Sequence, residues 1–175
     1  REPFLGGGSV SIHITKKYPN LKVWVNDLYE PLANFWKQLK CDSDEIAKQL
    51  ATLKGQHPNS ESAKSLFLES KEYLNNPPRQ CDATTRAISF YIVNKCSFSG
   101  LTESSSFSAQ ASNSNFSMRG IDKLRGYGEI IQRWEITNLS YGELLKSDKR
   151  AFVYLDPPYD IKDNLYGKKG GMHKR

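Results

Sequence analysis

Four consecutive residues, Asp156-Pro157-Pro158-Tyr159, join a carboxylate, two prolines and an aromatic ring directly after the apolar run Ala151-Phe152-Val153-Tyr154-Leu155. Proline fixes its own φ and carries no amide proton, so the carbonyls around the pair are free acceptors. The Asp156 carboxylate and the Pro157 carbonyl can each take one N–H bond, and Tyr159 offers a stacking face. Two acceptors beside an aromatic plane suit an exocyclic amino group on a planar base, such as N6 of adenine. Held in that way, the nitrogen gains electron density as a methyl group arrives. The plainer reading of the same residues is a strand-ending turn with an exposed tyrosine.

Two further features sit where chemistry can be done. Phe4-Leu5-Gly6-Gly7-Gly8-Ser9 contains three consecutive glycines. They let the backbone approach a ligand closely and turn its amides toward a carboxylate or phosphate. A plain turn is the alternative. Asp27 follows the glycines by about 20 residues, the spacing at which an acidic side chain accepts hydrogen bonds from ribose hydroxyls. It stands equally well as the cap of the helix that follows it.

These residues need elements to hold them. Residues 21–26 alternate polar and apolar and read as a strand. Pro31 fits the first turn of a helix whose stripe is Leu32, Phe35, Trp36 and Leu39. Ser43 caps a second helix that Gly55 ends, residues 60–75 form a third, and Asp82 caps a fourth. Residues 97–117 are rich in Ser, Asn, Ala and Gln, and read as a long loop or loose hairpin. A helix over 121–132, a short strand over 134–137, a helical turn over 141–145 and a strand over 151–155 complete the reading. Strands separated by helices predict an α/β domain with a mostly parallel sheet, which holds ligands beyond the carboxyl ends of its strands.

Composition narrows the rest. The 175 residues are 38% hydrophobic, enough for one core, and no apolar run is long enough to span a membrane. The first residues lack the charged start and apolar run of a signal peptide. Lys and Arg number 25 against 19 Asp and Glu, a net charge of +6 that permits a polyanionic partner. Cys41, Cys81 and Cys96 form no CxxC pair, and His13, His57 and His173 are scattered. No metal is therefore expected, and a reducing, cytoplasmic setting is. The chain reads as a piece of a larger domain, because a glycine turn of this kind normally follows a strand.

Taken together, Glu2-Pro3-Phe4-Leu5-Gly6-Gly7-Gly8, then Val25-Asn26-Asp27, then residues 86–94 with Phe98-Ser99-Gly100-Leu101, then Asp156-Pro157-Pro158-Tyr159, resemble the Dam-like (D12 class, α-group) DNA adenine-N6 methyltransferases over nearly the whole chain. The resemblance implies a Rossmann-like sheet that binds S-adenosylmethionine, with a helical and loop insertion that recognises the target. The catalytic part would comprise 1–40 and 133–175, and the insertion 41–132. Glu2, Pro3, Phe4, Gly6, Gly8, Asp27 and Asp156 would bind the cofactor. Asp156, Pro157, Pro158 and Tyr159 would carry catalysis on an adenine flipped out of double-stranded DNA. Arg86, Asn94, Lys95, Ser99, Gly100 and Arg119 would touch DNA. Ser99 and Glu103 stand where relatives often carry Asn and Arg, so a GATC target is not implied. The family's motifs on either side of this stretch lie outside it, so residues 1–175 alone are expected to be weakly active or inactive. Their sheet is expected to expose a strand edge that favours self-association. The alternatives are an inactive nucleic-acid-binding remnant, or amino-group methylation of cytosine N4, RNA adenine or a glutamine side chain.

Overall fold

Two short stretches rich in β-branched and aromatic residues pair in parallel: β1 (Val23–Asn26) and β2 (Trp134–Thr137). Their register runs from Val23 opposite Trp134 to Asn26 opposite Thr137. On the other edge of β1, Glu2 forms a parallel bridge to Val25; Glu2 N donates to Trp24 O and Asn26 N to Glu2 O, each at 2.9 Å. The computed structural model describes residues 1–98, 104–148 and 150–158.

The strand expected over residues 151–155 is corrected. This stretch runs beside Arg1, with the Arg1 nitrogen donating to Phe152 O and Tyr154 N to Arg1 O, and it makes no regular strand. Its apolar residues find too little cover to settle one: Phe152 is 81% exposed and Leu155 51%. The architecture is mixed α/β, mostly helical around a two-stranded sheet, and the described residues do not show a full Rossmann sheet.

Seven helices surround the sheet among the described residues: α1 (Ser9–Lys17), α2 (Glu30–Cys41), α3 (Ser43–Gln56), α4 (Ser60–Asn75), α5 (Ala83–Cys96), α6 (Ala109–Ser114) and α7 (Met118–Ile130). Side-chain caps start most of them. Asp82 accepts from Thr85 N, as its position predicts, while Asp42 rather than Ser43 caps α3 by accepting from Glu45 N. Helix α3 also runs one residue past Gly55. Asn59 caps α4 and Ser117 caps α7, whose last turn tightens into a 3-10 turn over Ile131–Arg133. None of these helices is long and apolar enough to cross a membrane.

Two elements were not expected. Helix α1 follows the glycine turn, and α6 lies inside the serine-rich stretch, which elsewhere forms a hairpin-like bridge between Ser97 and Phe107. Phe116 anchors that stretch by burying its ring completely, with the Lys54 ammonium 5.2 Å from the ring centroid.

One continuous core joins sheet and helices. Leu5, Val25 and Trp134 belong to the same buried cluster as Leu50, Phe67, Ile92 and Ile121. Helix α5 packs between α2 and α4, and α7 packs on α3 and α1. Lys40 Nζ donates to Trp134 O at 2.7 Å, tying the end of α2 to β2.

Candidate functional site

The carboxyl ends of the two strands carry a polar knot. Asn26, fully buried, donates from Nδ2 to Pro3 O and Leu139 O, and its Oδ1 accepts from Thr137 Oγ1 and Leu139 N. A buried amide satisfied on every side fixes its surroundings, since each broken bond would leave an unpaired polar group. Here it locks the Glu2-Pro3-Phe4 segment to the loop after β2.

The glycine turn hangs from this knot. Leu5 N donates to Asn26 O at 2.9 Å. Gly6 and Gly8 have φ of +49° and +66°, conformations that residues with a Cβ rarely adopt. A Cβ on Gly6 would meet only open space, whereas one on Gly8 would come within 3.0 Å of the Trp36 ring. Trp36 also donates from Nε1 to Gly6 O at 3.1 Å, so its indole holds the turn from beneath. Sequence analysis placed Trp36 only in a core stripe; nothing in a helical periodicity marks which core residue reaches a neighbouring loop.

Asp27 does not cap α2, whose N-cap residue is Tyr29 with no side-chain cap bond; it accepts two backbone amides instead. Its Oδ1 accepts from Tyr29 N at 3.0 Å, shaping the entry to α2, and its Oδ2 accepts from Gly6 N at 3.0 Å. Burial pushes its carboxyl above the ordinary value, and the two amides oppose that rise. A carboxylate has about four lone-pair directions, so two protein bonds leave acceptor capacity toward the cleft.

Glu2 is more deeply buried and accepts a hydrogen bond from Ser11 Oγ of α1. Burial raises its pKa, the Ser11 hydroxyl opposes the rise, and the Asp156 charge adds to it. A carboxyl whose pKa is raised on folding adds stability below its unfolded value and loses it as pH climbs through the folded value. Glu2→Gln is therefore expected to raise the melting temperature at neutral pH and to change it little in acid. Thermal melts across pH measure this; no gain at neutral pH would mean that the Ser11 bond outweighs burial of the charge.

A cleft of about 1970 Å³ opens beside these groups. Glu2, Pro3, Phe4, Gly6 and Asp27 lie on it together with Asp156, Pro157 and Pro158. Asn94 and Lys95 of α5 and Arg119 of α7 also line it. Burial lowers the pKa of Lys95, whose ammonium lies 5.6 Å from the Tyr91 ring centroid. Gly8 touches the Trp36 ring from behind the turn and does not line the cleft. Arg86 stands apart. Its Nε donates to Glu30 at 2.7 Å, and a second nitrogen approaches Leu74 O, so its guanidinium braces α2, α4 and α5. Tyr159, Ser99 and Gly100, with Leu101 and Glu103, lie outside the described residues.

The walls and floor differ in character. Phe4 and Tyr141 pair at 5.4 Å between ring centroids beside Leu28 and Leu32, an apolar and aromatic lining. The carboxylates of Glu2, Asp27 and Asp156 line the same cleft. Such an arrangement can hold a planar base and ribose hydroxyls at one end and present acceptors to an amino group at the other.

Comparison with known proteins identifies the family. The chain is 26% identical over 166 residues to a Type II methyltransferase, M.MjaIII, of Methanocaldococcus jannaschii. That alignment covers 90% of this chain and 57% of the relative, so the chain spans a little over half of the relative's length. The family model for D12 class N6 adenine-specific DNA methyltransferases matches residues 1–174. With the match running from the glycine turn through Asp156-Pro157-Pro158-Tyr159, the chain belongs to the D12 class of N6 adenine-specific DNA methyltransferases.

Proposed function

We propose that the protein transfers a methyl group from S-adenosylmethionine to N6 of an adenine extruded from double-stranded DNA. The observation that carries this reading is the single cleft on which the Asp27-braced glycine turn and the Asp156-Pro157-Pro158 acceptors both lie. Family membership supports the substrate and the methyl donor.

The residues present fit the donor. The open side of Gly6 and the remaining acceptor capacity of Asp27 suit the ribose end, and Phe4, Leu28 and Leu32 suit a flat base. When bound, S-adenosylmethionine supplies a methyl group activated by its sulfonium charge. Asp156 and the Pro157 carbonyl each accept a hydrogen bond from the N6 amino group and aim its lone pair, the one proton released on methylation leaves by way of the Asp156 carboxylate, and Tyr159 stacks on the base. Extrusion is needed because N6 is engaged in base pairing within the duplex. Positioning and prearranged acceptors supply the rate, with no covalent enzyme intermediate. Lys95 and Arg119 provide positive charge for the DNA, and Asn94 a polar contact. Residues 1–40 and 133–175 serve as the catalytic part and 41–132 as the recognition insertion, in the cytoplasm where cellular DNA is reached.

Nucleosides from DNA treated with the full-length protein are expected to contain N6-methyladenine by mass spectrometry. N4-methylcytosine alone would move the activity to the other base, and no methylated nucleoside would favour a binding remnant. Asp27→Ala is expected to weaken S-adenosylmethionine binding by about 1.5–3 kcal/mol, the range for losing charge-assisted hydrogen bonds. Calorimetry checks it. Unchanged affinity would leave Asp27 as the brace between Gly6 and Tyr29 and nothing more.

A further inference from the structure

The cleft has a cationic wall that the cofactor and the target amino group do not use. His13 and Lys16 of α1 and Arg119 and Lys123 of α7 all line it. The first pair is spaced three residues apart and the second four, so each shares one helical face. Helices α1 and α7 pack against each other, which makes the two faces one wall.

Five of the seven described arginines are already engaged, Arg133 with Asn20 and Arg150 with Asp148 among them. Arg125 pairs with Asp44 and Asp122, Arg86 with Glu30, and Arg1 with Asp148. Among the described residues, His13, Lys16, Arg119 and Lys123 have neither a hydrogen-bond partner nor an ion pair. The carboxylates that line the cleft, Glu2, Asp27 and Asp156, belong to neither helix. Asp122, on α7, does not line the cleft and pairs with Arg125 instead. Lys16, Arg119 and Lys123 are unneutralised charges of one sign along a cleft wall, which focus its field and attract a polyanion.

We infer that α1 and α7 together grip the phosphodiester backbone of the DNA, so that the helix leaving the cofactor turn is also a nucleic-acid contact. This rests on the DNA reading above and adds Lys16, Lys123 and His13 to it. Lys16 and Lys123 each neutralise a phosphate from opposite helices, holding the duplex over the cleft while the base enters it. Phosphate contacts of this kind position the DNA without reading its sequence.

The test is the salt dependence of binding of the full-length protein to a short fluorescent duplex. Each neutralised phosphate contributes about 0.9 to the slope of log K against log salt. Lys16→Gln with Lys123→Gln is expected to lower that slope by roughly 1.8 and to weaken binding equally on different duplex sequences. S-adenosylmethionine affinity and the melting temperature should stay as in the unsubstituted protein, which separates this loss from damage to the fold. Lys64→Gln, an exposed lysine of α4 away from the cleft, makes the same change in net charge per residue and should leave the slope unchanged. A double variant with the original slope, or a Lys64→Gln slope reduced as much per charge, would overturn the inference while leaving the methyltransfer reading intact. An unsubstituted protein that binds the duplex with no salt dependence would likewise overturn the inference, and one that does not bind the duplex at all would overturn the DNA reading itself.

Discussion

Asp156→Ala in the full-length protein is expected to lower kcat for methyl transfer by more than about 10²-fold, the scale of removing a prearranged polar group at the reacting atom. Affinity for S-adenosylmethionine should stay within a few fold. Asp156 is exposed on the cleft and has no hydrogen-bond partner among the described residues, so its removal disturbs no packing. In the proposed reaction the carboxylate is one of two acceptors for the target amino group, and without it the nitrogen would be neither aimed nor enriched in electron density. Single-turnover transfer and calorimetry on the same preparation separate the two quantities. A parallel fall in both would show that Asp156 serves chiefly the cofactor, the other role the family resemblance implies for it.

The second large effect concerns the frame. In Gly128→Ala the new methyl would lie 2.2 Å from Ser43 Oγ, 2.3 Å from Ser43 Cβ and 3.2 Å from Leu39 O. Alanine gains about 1 kcal/mol over glycine inside a helix, which works in the variant's favour. The hydroxyl of Ser43 can rotate away, but its Cβ is fixed to α3, and Leu39 O is backbone of α2. The helices must therefore separate, and overpacking of this kind costs about 1–3 kcal/mol or more. With contacts at 2.2 and 2.3 Å the cost lies at the upper end of that range, so a net destabilisation of about 2 kcal/mol is expected, read as a lower melting temperature. Adding Ser43→Gly should recover part of it by removing the atom that cannot rotate. An unchanged melting temperature in Gly128→Ala would show that α3 and α7 do not approach as closely as described.

Much of the frame was legible because local signals and burial agreed. Leu32, Phe35, Trp36 and Leu39 share a face of α2 that meets the core, and Asp82 caps α5 as its side chain suggested. The strands β1 and β2 showed themselves by β-branched and aromatic residues with short, clear bounds.

Helix α1 was illegible for a physical reason. Its fully buried residues are Ser11 and Thr15, whose hydroxyls bond Glu2 and the Trp134 indole, while Val10, Ile12 and Ile14 alternate as a strand would. A face buried through polar bonds leaves no hydrophobic stripe. Missing that helix hid Lys16 as well, because a lysine acquires a direction only once its element is known.

The run over 151–155 erred the other way. Its composition is that of a buried strand, yet its hydrogen bonds to the rest of the fold reach only Arg1, beside a local turn from Ala151 N to Asp148 O, and Phe152 is exposed. Helix α6 depends on Ser108 capping a six-residue turn and on Ala111 meeting the core. A serine-rich composition cannot signal that.

The indole of Trp36 gives the molecule an optical gauge of its own. Its N–H rests on the Gly6 carbonyl, its ring lies against Gly8, and it lines the cleft. The other two indoles donate to threonine hydroxyls, Trp24 to Thr137 and Trp134 to Thr15, and do not line the cleft. An indole's emission colour and yield follow the polarity and hydrogen bonding around its nitrogen. Any reshaping of the glycine turn thus changes the surroundings of Trp36 directly and, through it, those of Trp134, whose ring centroid lies 5.8 Å away, against a background from Trp24. The state of the turn is written in the protein's own light, with no label attached.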